Sequence, residues 1–235
     1  MTNIVLVGGS FLGAWAWQRV TPRLRAAGHD VHPLTLTGFG DRAHLGTPET
    51  DLSTHVQDIV AAIETVDLTD VVLVGHSYGG APATAAARRI HDRLRALVYV
   101  AGVLPRDGET LFETAGPQVT AAIMAAVTAR GGGWSIPVLT DEELGLFFGA
   151  HELAGEDLRW FRRYATPQPL GTYTERVRLP DPATLPTAYL SCRGDGPAPA
   201  LPAGWRHAEL PTGHWPMITL PDQLADHLDA YARSL

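Results

Sequence analysis

Val71-Val72-Leu73-Val74-Gly75-His76-Ser77-Tyr78-Gly79-Gly80 is the stretch that organises the rest of the chain. Its first four residues are a short apolar, β-branched run, the mark of a strand buried on both faces. Gly75-His76-Ser77-Tyr78-Gly79 then matches G-x-S-x-G, and the small residues that follow predict a helix from Gly79 to about Arg93. In this strand-turn-helix setting Ser77 must occupy a strained bend that lifts its Oγ clear of the sheet. Only small residues two positions to either side leave room for so sharp a reversal. The helix N-terminus behind Ser77 turns free N–H groups and its positive dipole end towards any oxyanion that develops there.

Working outward, Ile4-Val5-Leu6-Val7 is a second buried run, ended by Gly8-Gly9, and a helix follows with Trp17, Val20, Leu24 and Ala27 on one face. Pro22 implies a kink or late start, and Gly28 a stop. Val31 to Leu36 reads as a weaker strand. From Leu52, the apolar positions Val56, Ile59, Val60, Ile63 and Val66 recur at helical spacing with Asp51 placed to cap the first turn. Leu97-Val98-Tyr99-Val100 is the next strand. Strands alternating with helices predict a parallel sheet covered on both faces, with right-handed crossovers.

That rhythm breaks near Leu104. Residues 105–182 carry helical stretches at Leu111 to Ala129, Asp141 to Phe148 and Glu156 to Tyr164, with interruptions at Gly131-Gly132-Gly133 and Pro167-Gln168-Pro169, and they read as a helical cap inserted into a core of residues 1–104 and 183–235. The sheet resumes at Thr187 to Ser191 and at Arg206 to Leu210. Gly194 to Gly204 reads as a loop, and an amphipathic helix begins near Pro221 with Leu224, Leu228 and Tyr231 inward.

A chain of 235 residues should bury roughly 70 to 75% of its unfolded surface, so its core needs no staple. The single cysteine, Cys192, cannot pair within the chain. A reducing cytosol is the simplest home, and neither a membrane span nor a basic signal-peptide lead-in is evident, so a cytoplasmic protein is expected. Net charge is -7 and the 18 basic residues, all arginine, form no stripe, which argues against a nucleic-acid partner. The absence of lysine excludes pyridoxal-phosphate Schiff bases, the Walker phosphate loop and the Tyr/Lys pair of short-chain reductases.

A serine hydroxyl needs a base, and in this architecture the base follows the nucleophile in the chain. Of ten histidines, His29, His32, His44 and His55 precede the elbow, His91 and His227 lie on helical segments, His151 is in the insertion, His207 is in a strand and His76 turns away. His214, in the loop after the last strand, is the candidate base. The acid that orients it is Asp195, after the penultimate strand, with Asp107, after the strand that follows the elbow, as the alternative. An oxyanion hole requires two converging N–H donors, supplied by Tyr78 and by the Gly8 to Phe11 loop, where Ser10 is the second donor. That loop fits a dinucleotide fingerprint poorly, because Leu34-Thr35-Leu36-Thr37 stands where an acidic residue is required. His151-Glu152 lacks the second histidine of a zincin helix. No cofactor and no metal are expected. Phe11, Trp134, Phe147, Phe148, Trp160, Phe161 and Trp215 are candidates for the wall of an apolar substrate pocket, and Tyr78 and Trp215 for substrate contact.

The chain resembles an α/β-hydrolase, in the branch of plant methyl-ester esterases, hydroxynitrile lyases and their bacterial relatives. The resemblance rests on Gly13-Ala14-Trp15 with Trp17, Gly28-His29, the elbow, Leu104-Pro105, Pro167-Gln168-Pro169-Leu170 and Thr212-Gly213-His214. It implies about six parallel strands under a helical cap, Ser77, His214 and Asp195 as the triad, and the Ser10 and Tyr78 amides as oxyanion hole. Two departures stand out: Gly8-Gly9 replaces the usual His-Gly, and Trp215-Pro216 follows the histidine where the lyases place lysine, which argues against cyanohydrin cleavage. The expected function is a cofactor-independent serine esterase acting on an ester or thioester of a small, largely apolar substrate. An acyltransferase, thioesterase or cyclase working on a carrier-bound substrate is the alternative, followed by a non-catalytic ligand-binding module.

Overall fold

Alternating side chains of the first strand bury into two separate layers: Ile4 and Leu6 pack with Trp17, Leu24 and Leu224, and Val5 and Val7 with Ile59, Ile63 and Tyr78. This sandwich of helices around a sheet follows from strands that are apolar at every position. The computed structural model describes residues 1–148, 152–179 and 184–235. Its strands are β1 (Asn3–Val7), β2 (Asp30–Leu34), β3 (Val71–His76), β4 (Leu94–Val100), the two-residue pieces β5 (Ser135–Ile136) and β6 (Gln168–Pro169), β7 (Thr187–Cys192) and β8 (Arg206–Leu210). Its α-helices are α1 (Thr21–Ala26), α2 (Leu52–Glu64), α3 (Gly80–Arg89), α4 (Leu111–Ala115), α5 (Pro117–Arg130), α6 (Asp141–Phe148), α7 (Gly155–Tyr164), α8 (Gly171–Thr174), α9 (Pro216–Thr219) and α10 (Pro221–Arg233).

Six parallel strands form the main sheet in the order β2-β1-β3-β4-β7-β8. Pro33 is tolerated in β2 because β2 is an edge. The registers Val7↔Gly75, His76↔Val100, Val100↔Leu190 and Cys192↔Leu210 bring the carboxyl ends of β1, β3, β7 and β8 to one margin of the sheet. Loops leaving that margin are where a doubly wound sheet builds its site.

The second helix begins where its cap requires. Asp51 accepts from the Thr54 amide at 2.8 Å, and the Thr54 hydroxyl reaches back to the Asp51 amide. It ends at Glu64, so Val66, expected inward, is 60% exposed. The early helix starts late, at Thr21 beside Pro22, after a 3-10 turn over Ala14–Trp17. The expected helix from Leu111 to Ala129 is two helices, because Gly116 takes φ +87° and Pro117 opens the next. The antiparallel β5–β6 pair escaped the sequence reading, since two residues carry no periodicity. The expected cap-to-core boundary at 182–183 lies outside the described residues. Among the described residues no helix is long and apolar enough to cross a membrane.

Candidate active site

Ser77 directly follows β3 with φ +50°, in the left-handed region that a side chain ordinarily avoids. The flanking glycines explain how the bend closes. A Cβ on Gly75 would lie 2.7 Å from the Gly79 carbonyl, and one on Gly79 would lie 2.5 Å from the Gly8 carbonyl. Gly9 is held to glycine too, since its Cβ would stand 2.7 Å from that of Ser77. Phe11 and Ala101 also have positive φ, and both line the same cavity as Ser77. Strain of about 1 to 3 kcal/mol at each such residue survives only where the surroundings enforce it, and functional sites are where it collects.

His214 Nε2 lies 2.8 Å from Ser77 Oγ, and its Nδ1 lies 2.7 Å from Asp195 Oδ2. An ionised carboxylate only accepts, so Nδ1 carries the proton and Nε2 is left to accept from the serine hydroxyl. Asp195 ends a 3-10 turn directly after β7, and the Gly194 amide ties that turn to the Thr212 carbonyl beside the histidine loop at 3.0 Å. Asp107 is engaged elsewhere: its Oδ1 accepts from the Leu179 amide at 2.8 Å. His214 is buried, at 7% exposed, with its ring stacked on Phe148, centroids 4.3 Å apart, and met edge-on by Trp215.

His76 does more than turn away. Fully buried, it donates from Nε2 to the His214 carbonyl at 2.8 Å, with the two rings 5.1 Å apart. Burial first, and then the neighbouring His214, hold its pKa well below the ordinary value. A neutral ring here anchors the backbone of His214 without adding a second positive charge.

Tyr78 sends its side chain the opposite way, into the core, so it makes no wall of the cavity. Its hydroxyl lies 2.8 Å from His55 Nδ1, while His55 Nε2 donates to the Thr37 carbonyl at 2.7 Å. Burial pushes the His55 pKa down to about 4, against the opposing pull of the Thr37 carbonyl and the Asp58 and Asp51 carboxylates. Unfolding returns it to about 6.5, so as pH falls the unfolded chain takes up the proton first. The stability tied to His55 is therefore complete above about pH 6.5 and drains away towards pH 4, by about 3 kcal/mol in all. Denaturant titrations at pH 7 and pH 4 should show this loss in the native chain and a correspondingly smaller one in His55→Gln; equal losses in both would refute the assignment.

Between the sheet margin and the cap lies a cavity of about 250 Å³ that Ser10, Ser77 and His214 all line. Phe11, Phe147 and Phe148 form part of its wall. Other aromatic candidates do not. Trp134 is 38% exposed, and Trp160 packs edge-on against Trp15 beneath Arg19, away from the cavity. Phe161 is cap core, and Trp215 is buried behind His214 among Phe148 and Phe161. Aromatic character marks these residues as candidates without saying which neighbour they meet. Ile136, Gln168 and Tyr173, which the sequence reading did not select, also belong to the wall, and the Ser10 hydroxyl is 3.1 Å from that of Tyr173. A larger groove, of about 770 Å³, opens between Trp15, Arg25 and Tyr164, but none of the Ser77, His214 and Asp195 cluster reaches it. His151 lies outside the described residues.

The sequence model of the alpha/beta hydrolase family matches residues 4–227. A carbendazim hydrolyzing esterase from Nocardioides sp. (strain SG-4G) is 34% identical, over 98% of this chain and 99% of its own. Methylesterase 2 of Arabidopsis thaliana is 27% identical over 98% and 95% of the two chains. Among solved structures, an extracellular α/β-hydrolase from a Paenibacillus species superposes with a TM-score of 0.84 at 22% identity, over 97% of this chain and 98% of its own. Sequence, sheet order and elbow thus agree, and the chain belongs to the alpha/beta hydrolase family.

Proposed function

We propose that this chain is a serine esterase that cleaves a small, largely apolar ester through an acyl-enzyme on Ser77. The observation that carries the proposal is the continuous run from Ser77 Oγ through His214 to Asp195, 2.8 and 2.7 Å at its two links, opening on an apolar cavity. An ester-cleaving hydrolase is also the class to which its named relatives, an esterase and a methylesterase, belong.

Ser77 Oγ attacks the ester carbonyl as its proton passes to His214 Nε2, and Asp195 holds the imidazole in the required tautomer and balances the imidazolium. The amides of Ser10 and Tyr78 receive the negative charge that develops on the carbonyl oxygen. Collapse breaks the ester C–O bond, and the leaving alkoxide takes the proton from His214. Water then repeats the sequence, giving its proton to His214 and freeing the acid as Ser77 recovers its own. His76 serves as a positioning residue through the His214 carbonyl. The apolar wall, Phe147 and Phe148 included, excludes water from the first half-reaction and favours a substrate of about one aromatic ring.

A fluorophosphonate probe tests this directly, because it phosphonylates only an activated serine. Intact mass should rise by one adduct on the native chain, with the modified peptide containing Ser77, and no adduct should form on Ser77→Ala or His214→Ala. Native protein that stays unlabelled would rule the proposal out.

A further inference from the structure

We infer that Gln168 selects the substrate: its Oε1 accepts a hydrogen bond from an N–H or O–H group that the ester carries away from the reacting carbonyl. The inference rests on the esterase reading of the same cavity.

Gln168 is 0% exposed and lines the cavity shared by Ser77 and His214. It belongs to β6, whose pairing with Ile136 of β5 fixes its backbone, and it is flanked by Pro167 and Pro169. Its Nε2 lies 2.8 Å from Thr172 Oγ. Proton counting fixes which end of the amide faces Thr172. The one hydroxyl proton of Thr172 is directed at the Pro169 carbonyl, 2.6 Å away, so towards Gln168 its oxygen can only accept. The amide must therefore present N–H there, and its carbonyl oxygen is the end that remains.

That oxygen is buried and has no hydrogen-bond partner among the described residues. Buried amide oxygens in folded proteins are almost always paired, and one that is not calls for an occupant. The neighbouring wall, with Val119, Ile123, Ile136 and Leu139, offers none. The other polar side chains of the cavity are already engaged with each other, Ser10 with Tyr173 and Ser77 with His214. A substrate donor would complete the Gln168 amide. An ester of the same shape without a donor would displace any water there and leave the acceptor stranded. A pocket built to bond a substrate N–H or O–H discriminates strongly against the analogue that lacks it.

The test uses the Ser77→Ala chain, in which ligand binds without turnover, and calorimetric titration with three methyl hydroxybenzoates (ortho, meta and para) against the matching methyl methoxybenzoates. At one ring position the hydroxy ester should bind about tenfold or more tighter than its methoxy partner. In Ser77→Ala/Gln168→Met that ratio should fall to about two or less. Equal affinities at all three positions, or a preference that survives Gln168→Met, would overturn the inference. Should the methionine variant not fold, Gln168→Glu decides: its neutral acid gives O–H to Thr172 and keeps an acceptor towards the cavity, so the preference should persist, and its loss there counts against Gln168. Fluorophosphonate labelling of the native chain is scored in parallel. Its absence defeats the esterase reading alone, whereas equal affinities defeat the role of Gln168 alone.

Discussion

Replacing Ser77 by alanine is expected to lower kcat on a p-nitrophenyl ester by about 10⁴-fold or more, and His214→Ala by a similar factor. The two losses should not multiply. Ser77 Oγ and His214 Nε2 form one 2.8 Å unit: a serine without its base stays protonated, and a base without its serine has nothing to activate. The double variant should accordingly be no slower than the worse single one, keeping whatever rate binding and the Ser10 and Tyr78 amides provide. Rate constants for the four proteins check this. Losses that combine multiplicatively would mean that the two side chains act independently, and the proposed mechanism would be wrong.

Asp195→Asn should cost about 10³ to 10⁴ in kcat, while Asp107→Asn should leave kcat within about twofold. The reason is tautomeric. Asp195 accepts at 2.7 Å from His214 Nδ1, which keeps that nitrogen protonated and Nε2 free to take the serine proton. An asparagine can present N–H instead, moving the imidazole proton to Nε2 and closing the route from Ser77. Asp107 instead fastens the Leu179 amide, so losing its charge should show as a stability decrease of about 1 kcal/mol, read by denaturant unfolding. A slow Asp107→Asn beside an active Asp195→Asn would reverse the roles of the two carboxylates.

Sequence alone left those two carboxylates open, and the reason is instructive. Asp195 and Asp107 both follow strands at the same margin of the sheet, and chain order assigns each a loop without saying where the loop leads. Their difference arises from long-range contacts: the Gly194 amide on the Thr212 carbonyl draws one turn to the histidine loop, and Leu179 takes the other. The bend at Ser77 was legible because its causes are local. Gly75 and Gly79 are excluded from carrying a Cβ by atoms within the motif or one strand away. The anchoring contact of His76 was not legible for the opposite reason, since its partner, the His214 carbonyl, is 138 residues distant. In the cap, Trp160 and Phe148 are equally aromatic and both sit on or beside helices, yet one covers Trp15 and the other stacks on His214.

The alternation of strands and helices, the elbow at Ser77 and the placing of His214 after the last strand were determined by the sequence itself, through steric and periodic rules that act over a few residues. Only the tertiary structure decided which acid meets the imidazole, which aromatic rings bound the cavity and that Gln168, in the wall of that cavity, keeps a buried oxygen unpaired. Those depend on the directions in which side chains of separate loops and elements meet, and apolar spacing records that a residue is buried but not what it is buried against.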